Sequence, residues 1–162
     1  MVETPLLIGR VLRASTTSFA LGCSRLIAEQ DELIPEFGAL VKAYDARSNT
    51  IYGLIYNVAI EDDAFVRQLV AAGVNSPEII EDHRRNRQVP IEVDVLVTGY
   101  GQGDQIYHRL PPQPPGTLNE IFACNPAELV RFTQRNDWLR TTLQAAEGPA
   151  DALVGRRCAR RR

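Results

Sequence analysis

Aromatic and basic side chains are the residues of this sequence that could recognise a ligand. Tyr52, Tyr56, Tyr100 and Tyr107 lie in segments with strand character, and Arg109 follows closely after the last of them. Tyrosine rings could stack on the bases of a single-stranded nucleic acid, with the arginine nearby. Core and rim packing is the alternative explanation, and the negative charge of the body favours it, because that charge repels phosphates. Tyr100, Tyr107 and Arg109 remain candidate nucleic-acid contacts.

The C-terminal end of the sequence carries a dense group of arginines. The last seven residues include Arg156, Arg157, Arg160, Arg161 and Arg162 and contribute a charge of +5, whereas residues 1–155 carry −7. Such a tail can follow a phosphate backbone, fold back onto the acidic body or stay solvated. These five arginines are therefore further candidate nucleic-acid contacts, in a segment, residues 148–162, that we expect to be disordered.

Two groups of carboxylates could hold a cation or a proton. Glu61, Asp62 and Asp63 are consecutive, and carboxylates held together can bind hard cations or shift one another's pKa. Their position before an apolar i, i+3, i+4 pattern favours helix capping instead. Glu92 and Asp94 share one face of a strand, where we expect them to keep an edge soluble.

The histidines and cysteines give no support for a catalytic or metal site. His83 and His108 form no helical pair with each other or with a cysteine, and Cys23, Cys124 and Cys158 are odd in number and far apart. This pattern fits neither zinc ligation nor a disulfide framework, so we expect reduced thiols, with each histidine at a surface or an edge. A nucleophile would also need a base within reach, which the sequence does not indicate.

Phosphate-binding loops are not indicated either. Gly99, Gly101 and Gly103 alternate, but the segment that follows has strand character, so a hairpin turn is the better interpretation. The only lysine, Lys42, has no glycine-rich loop before it. We predict a protein that is not an enzyme and has no cofactor, no metal and no evident small-molecule substrate.

The composition sets the broad class of the protein. A chain of 162 residues with 44% hydrophobic content is typical of one globular domain. No apolar run approaches the roughly 18 residues of a membrane span. The first twelve residues have no signal-peptide pattern. We therefore expect a cytoplasmic protein that does not contact the membrane.

The hydrophobic pattern predicts three β-hairpins that must position these groups. They pair residues 6–12 with 19–21, residues 37–44 with 51–60, and residues 89–100 with 105–110. In the last hairpin Ile91, Val93, Val95 and Val97 alternate with a polar face. Gly53 lies inside the second hairpin, where it suits a bulge or a bend.

Helices interrupt and follow the strands. Two are predicted between residues 61 and 87, the first ending at Gly73 and the second starting at Ser76 and Pro77. The prolines of residues 111–116 predict an extended crossing segment. Asn125, with Pro126 and Glu128, forms a capping box, so a helix follows there, with another around residues 138–146.

The predicted fold is mainly β with added helices, an α+β class. Residues 1–124 form a small closed β-barrel of about six strands with a helical insertion at about 61–87. Residues 125–147 form the C-terminal helices, and residues 148–162 form the basic tail.

The strand residues resemble one known family, the HAS barrel, which is the small N-terminal barrel that HerA-type ATPases share with ring ATP synthase subunits. The resemblance covers roughly residues 6–124 and rests on residues 8–11, 15–19, 38–41, 52–55, 97–100 and 111–116. It implies a module that forms ring contacts or docks a partner such as a nuclease, beside an ATPase. The missing phosphate-binding loop departs from the ATPases themselves.

Two functions follow as hypotheses. The first is a non-catalytic accessory or assembly module that self-associates or docks a protein partner, an ATPase or a nuclease. The alternative is a small-barrel nucleic-acid-binding protein that uses its arginine-rich tail and exposed tyrosines. The two differ in their response to salt, because phosphate contacts weaken steeply as ionic strength rises.

Overall fold

Antiparallel strands build a closed barrel in the computed structural model, which describes residues 4–24, 35–86 and 90–159. The strands are β1 (Leu7–Ala14), β2 (Ser18–Ser24), β3 (Leu40–Tyr44), β4 (Thr50–Ile60), β5 (Pro90–Gln102), β6 (Gln105–Tyr107) and β7 (Glu120–Ala123). Their order is β2-β1-β7-β3-β4-β5, and pairing of β2 with β5 closes the ring, while β6 adds to β5 outside it. The predicted barrel of about six strands is confirmed.

The hairpins and the closing strand differ in how well the sequence indicated them. All three predicted hairpins form, as β1–β2, β3–β4 and β5–β6. Strand β7 was not predicted as a separate element, and it fills the gap between β1 and β3. Residues 87–89, at the predicted boundary between the second helix and β5, lie outside the described residues.

The barrel interior is filled by the apolar face of each strand. Its fully buried side chains include Val11, Leu21, Val41, Ile51 and Ile121. The four alternating residues of β5 that the sequence placed on one face, Ile91, Val93, Val95 and Val97, all belong to this core. Burying one face at a period of two fixes the register of the strand.

Gly53 marks a bend in the barrel wall, as predicted. The pairing of β4 with β5 shifts register between Tyr52 and Gly53. A Cβ atom at Gly53 would lie 2.4 Å from Val95 Cγ1 and 2.9 Å from the Leu96 carbonyl oxygen. Only a residue without a side chain lets the two strands approach so closely here.

Five helices complete the described part of the chain: α1 (Ala64–Ala71), α2 (Pro77–Asn86), α3 (Pro126–Thr133), α4 (Asp137–Leu143) and α5 (Ala150–Ala159). The capping prediction for α3 is confirmed, whereas of the three acids predicted to cap α1 only Asp63 does so, because Glu61 and Asp62 precede the N-cap. Asp63 accepts a hydrogen bond from the Phe65 amide at 2.9 Å, and Asn125 and Glu128 form a reciprocal capping box. None of these helices combines the length and hydrophobicity that crossing a lipid bilayer requires.

The C-terminal helices create a second core on the outside of the barrel wall. This outer core comprises Leu40, Tyr52, Leu54, Leu96, Phe132, Trp138 and Leu153. Lys42 on β3 donates to Glu128 on α3, where the same carboxylate also caps the helix, so the barrel and the helix share one partly buried ion pair. Strand β5 thus serves both cores, Val95 inside the barrel and Leu96 outside it.

The chain after Gly148 differs from the prediction of a disordered tail. Residues 150–159 form α5, and Leu153 is fully buried while Arg157 is only 5% exposed. A helix forms because these residues lie four apart on one face and pack against the domain. Residues 160–162, with the last three arginines, lie outside the described residues.

Candidate functional site

The structure brings Tyr100, Tyr107 and Arg109 together, and these three residues form the tyrosine–arginine cluster. The two rings stack with centroids 5.1 Å apart and an interplanar angle of 29°. The Arg109 guanidinium lies 4.9 Å from the Tyr107 ring centroid, and its Nη2 donates to the Tyr100 hydroxyl at 3.4 Å. Tyr100 is buried and Tyr107 half-buried, so Tyr107 and Arg109 form the accessible part of the cluster.

The β5–β6 hairpin positions this cluster. Tyr100 pairs with Tyr107, and the strands are joined by a two-residue turn at Gly103 and Asp104. Gly103 has a φ of 58°, a left-handed conformation that glycine adopts without strain. The alternating glycines therefore belong to a hairpin, as the sequence predicted. Arg131 on α3 donates to the Asp104 carbonyl oxygen and ties the turn to the helix.

Further arginines lie beside the cluster. A cavity of about 250 Å³ is lined by Tyr107, Arg109, Arg135, Asp137 and Arg140, among others. Arg135 is neutralised by Asp137 at 3.0 Å, whereas Arg109 and Arg140 have no carboxylate within salt-bridge distance among the described residues. This surface is therefore locally positive, in contrast to the acidic body of the chain.

His108 connects this surface to the helices and is half-buried, not the surface or edge residue that the sequence predicted. Its Nε2 donates to the Phe132 carbonyl oxygen at 2.8 Å, since a carbonyl can only accept. Burial lowers the pKa of His108 below its usual value, and the hydrogen bond only partly opposes this. His108 is therefore neutral at pH 7 and adds no charge to the surface.

A larger cavity of about 490 Å³ continues from the same arginines. Arg109 and Arg140 line it together with His108, and Leu96, Leu110 and other apolar side chains form its walls. Its volume falls within the roughly 300–1,000 Å³ of typical ligand sites. The basic side chains thus border a concave surface, which the sequence did not indicate because its walls come from β5, from residues 108–110 after β6 and from α4 with the residues that follow it.

The other tyrosines that the sequence considered are separate from the cluster. Tyr52 is buried against Phe132, with ring centroids 5.0 Å apart, which agrees with core packing. Tyr56 is half-buried and lines another cavity, of about 310 Å³, with Arg13 and Glu147. Neither tyrosine extends the stacking surface of the cluster.

The arginines of the tail do not form an exposed row in the described residues. Arg156 forms an ion pair with Glu36 at 3.7 Å and its side chain lies over Gly38. Arg157 is buried among the helices, and this burial contradicts its predicted role as a surface contact. Arg156 instead fits the alternative in which the basic tail folds back onto the acidic body.

The two carboxylate groups have structural partners. Asp63 caps α1 and Asp62 forms an ion pair with Arg67. Asp94 and Glu92 both face Arg13, at 3.1 Å and 2.5 Å. The predicted role of this second pair at a strand edge is wrong, because β5 pairs with β2 on one side and β4 on the other.

Two of the three cysteines, Cys23 and Cys124, have the environments of packed thiols. Burial raises the pKa of Cys124 to about 12 and also raises the pKa of Cys23, so both thiols are protonated at neutral pH. Cys158 is exposed on α5. Within the described ranges, no three histidine, cysteine, aspartate or glutamate side chains cluster as metal ligands would.

The helical insertion presents apolar side chains that the sequence analysis did not identify as a site. Phe65, Val66, Leu69 and Val70 span about 140° of α1 at 100° per residue, yet none of them is buried. Ile60, Phe65, Val70 and Ile79 are 74%, 40%, 76% and 50% exposed, and we call these four the insertion surface. One sequence pattern could have identified this surface: two amphipathic helices are inserted between two strands. The inner faces of those strands already fill the barrel, so the apolar faces of the helices have no place in its core.

No protein-family model matches the sequence, and no curated protein matches it.

Proposed function

We propose that this protein is a non-catalytic assembly module that docks a protein partner through its helical insertion. The observation that carries this proposal is the exposure of the insertion surface. Among residues 61–82, no side chain is buried, although α1 and α2 both have apolar positions. Helices of this length depend on packing of an apolar face for most of their stability. A partner that covers this face would supply that packing.

The charge of the insertion indicates the chemistry of the partner. The part of the insertion that carries the exposed apolar side chains, residues 61–82, contains six acidic side chains and one basic side chain, Arg67, whereas residues 83–87 add three arginines, so residues 61–87 together carry −2. A complementary partner therefore has an apolar centre with basic side chains around it. The same negative charge disfavours nucleic acid at this surface.

The partner class comes from the resemblance to HAS barrels. Barrels of that family lie beside ATPases and dock partners such as nucleases, so an ATPase or a nuclease is the partner that we propose. The barrel here is closed, so it offers few free strand edges for sheet extension. We therefore expect side chains of the insertion to make the contact with the partner.

The test is an affinity purification from the native host that compares two substitutions. The test variant, Val70→Asp, introduces a charge into the insertion surface. The control variant, Leu118→Asp, introduces a charge at a 64% exposed position outside the insertion. Extracts are captured in parallel with and without prior nuclease treatment, and the bound proteins are identified by mass spectrometry. We expect an ATPase or nuclease subunit with the wild type and with Leu118→Asp, and its loss with Val70→Asp.

Two results would contradict the assembly proposal. One is retention of the same partner by Val70→Asp, which would place the contact elsewhere. The other is recovery of material that disappears on nuclease treatment, which would favour the second candidate function. Both variants alter exposed side chains, so circular dichroism spectra should match the wild type.

The second candidate, single-strand nucleic-acid binding, is favoured by the tyrosine–arginine cluster. Its accessible ring and guanidinium lie beside Arg140, which has no carboxylate within salt-bridge distance among the described residues. Stacking on Tyr107 with phosphates at the arginines would use chemistry that single-strand binding proteins share.

Fluorescence anisotropy with a short single-stranded oligonucleotide tests this candidate. Arg109→Ala should weaken binding about tenfold. It should also lower by about one the number of counterions released on binding, which is measured as the slope of log affinity against log salt concentration. Arg47→Ala removes an exposed arginine in the β3–β4 turn and should change affinity far less. Equal losses in the two variants would indicate only general charge attraction and exclude a site at the cluster.

A further inference from the structure

Strand β6 has an outer edge that pairs with no other strand of the described residues. It lies outside the closed ring and pairs with β5 on one side only. Each strand of the ring pairs on both sides. A free edge presents main-chain N–H and C=O groups to which another chain can add. Within the described residues, sheet extension can therefore occur at β6.

The hairpin turn decides which main-chain groups of β6 point outward. A two-residue turn joins β5 to β6, so Gln102 and Gln105 form the hydrogen-bonded pair that closes it. Hydrogen-bonded and non-hydrogen-bonded pairs alternate along an antiparallel ladder. The next pair, Gly101 with Ile106, is therefore non-hydrogen-bonded. The N–H and C=O groups of Ile106 point away from β5, toward the free edge.

The cavity of about 250 Å³ beside the tyrosine–arginine cluster lies along this edge. Ile106 and Tyr107, which are neighbours in β6, both line it. Their side chains lie on opposite faces of the sheet, because Ile106 packs against the outer core and Tyr107 stacks on Tyr100. A cavity that touches both residues therefore lies along the edge of the strand.

The C-terminal helices occupy the two ends of the edge and leave Ile106 open between them. Arg131 of α3 donates to the Asp104 carbonyl oxygen, and Thr141 of α4 donates to the His108 carbonyl oxygen at 3.0 Å. Among the described residues, no turn, helix or side chain forms a hydrogen bond with the main chain of Ile106. An extended segment that adds here can exchange two main-chain hydrogen bonds with this residue.

The charges along the cavity specify the chemistry of the added segment. Arg109, Arg135 and Arg140 line it together with one carboxylate, Asp137. Arg135 is neutralised by Asp137 at 3.0 Å, whereas Arg109 and Arg140 have no carboxylate within salt-bridge distance among the described residues. An acidic segment therefore complements the cavity.

We infer that an extended acidic segment of a protein partner binds here as an additional strand beside β6. Its main chain pairs with Ile106, and its carboxylates lie near Arg109 and Arg140. A single-stranded nucleic acid also carries negative charge, but it does not offer N–H and C=O groups at the spacing of a β-strand. The inference goes beyond the proposed docking function, because it does not use the insertion surface.

An NMR titration of the ¹⁵N-labelled full-length protein tests the strand pairing. The probe is an acetylated and amidated heptapeptide of alternating valine and glutamate, added to about 2 mM because so short an edge gives weak binding. We expect the Ile106 amide proton to shift downfield in a saturable way as it donates to the peptide. The amides of Gln105 and Tyr107, which face β5, should shift less.

Two altered peptides separate strand pairing from charge attraction. The first carries N-methyl groups on two adjacent central residues, which removes donors from both of its edges and keeps its charge. It should bind about fivefold more weakly, because main-chain hydrogen bonds are lost. The second has lysine in place of glutamate and should cause no saturable shift of the Ile106 amide, because like charges repel.

Protein variants locate the binding site. Arg140→Ala should weaken binding of the glutamate peptide about threefold. Arg47→Ala, which removes an exposed arginine in the β3–β4 turn, should leave the affinity unchanged. Ile106→Pro removes the outward N–H group but no hydrogen bond of the β5–β6 ladder, and should abolish binding in ligand-observed NMR. If Ile106→Pro does not fold, the N-methylated peptide makes the same test on the wild type.

The outcomes decide the inference without reference to any activity. A saturable Ile106 shift that the N-methylated peptide loses supports strand addition at β6. Equal binding of the parent and N-methylated peptides overturns it, because the contact would then be charge attraction alone. An Ile106 amide that the glutamate peptide does not move also overturns it, and binding of a single-stranded oligonucleotide in that case favours the second candidate function. Val70→Asp should leave peptide binding unchanged, so failure of this inference is distinguishable from failure of the docking proposal.

Discussion

Replacing Asp45 by alanine should destabilise the whole barrel, although the residue lies in a short turn. Asp45 follows β3 and is only 5% exposed. Its Oδ1 accepts from the Arg47 and Asn49 amides at 2.8 and 2.9 Å, and its Oδ2 accepts from Asn49 Nδ2 at 2.8 Å. These bonds hold Ser48 in a left-handed conformation with a φ of 62°. Alanine would remove all three acceptor contacts at once.

The size of the effect follows from these contacts. A hydrogen bond to a charged acceptor contributes roughly 1.5–3 kcal/mol, but water can replace part of it at the exposed residues of the turn. We therefore expect Asp45→Ala to lower the free energy of unfolding by about 3 kcal/mol. For a chain of this length that corresponds to a fall in Tm of about 10 °C.

The pH dependence gives a second, independent test. Burial alone would raise the pKa of Asp45, but the hydrogen bonds from Asn49 and the Arg47 amide outweigh it, so the pKa lies below the usual 3.8. A carboxyl with a depressed pKa stabilises the fold above pH 3.8 and loses that contribution as the pH falls through its folded value. The difference in stability between wild type and Asp45→Ala should therefore shrink on acidification.

Urea unfolding at pH 7 and at about pH 3, followed by Trp138 fluorescence, measures both effects. Asp104→Ala is the matched control, because its side chain lies in another hairpin turn and accepts no hydrogen bond from the described part of the chain. The reasoning is refuted if Asp45→Ala costs no more than Asp104→Ala, or if its cost grows as the pH is lowered.

Two further substitutions probe the barrel wall and its link to the helices. Gly53→Ala should lower the free energy of unfolding by about 1–3 kcal/mol, because its Cβ would approach Val95 Cγ1 to 2.4 Å; Gly155→Ala, with no atom within 4 Å of the new Cβ, should cost nothing in the same urea titration. Lys42→Met should cost about 2 kcal/mol at pH 7, because it leaves the Glu128 carboxylate partly buried without its cation. Burial lowers the pKa of Lys42, but the hydrogen bond and charge of Glu128 raise it above 10.5 overall; the ion pair thus stabilises the fold below pH 10.5, and the cost of Lys42→Met should vanish as the pH rises through the raised value.

Local patterns in the sequence predicted the elements whose causes are local. Alternation along β5, the capping residues Asp63 and Asn125 and the bend at Gly53 each depend on a few neighbouring residues, and all were identified. The closed barrel followed from the number and spacing of the hairpins.

The missed elements depend on partners far away in the sequence. Strand β7 has only four residues, and its strand conformation comes from pairing with β1 and β3 on either side. Helix α5 carries arginines that suggest a solvated tail, and only the burial of Leu153 and Arg157 against the outer core reveals it. Neither of these contacts can be inferred from a short stretch of neighbouring residues.

The candidate sites were predicted in part. The tyrosine–arginine cluster was identified because its residues lie within one hairpin, whereas Arg157 was placed on the surface because its helix was not foreseen. The insertion surface was missed because amphipathic helices are normally assumed to be covered. The free edge of β6 could not be recognised from the sequence, because only the closed ring shows which strand lies outside it.

The position of the helical insertion makes it separable from the rest of the molecule. Its two ends are held in register by the barrel, because Ile60 pairs directly with Ile91 where β4 meets β5. The described side chains of residues 61–82 contribute nothing to either core, so a tight turn could join the two strands in their place. Amide hydrogens of α1 should then exchange through local opening, well before those of β4. In evolutionary terms the insertion can be lengthened, lost or exchanged while the barrel sequence stays the same.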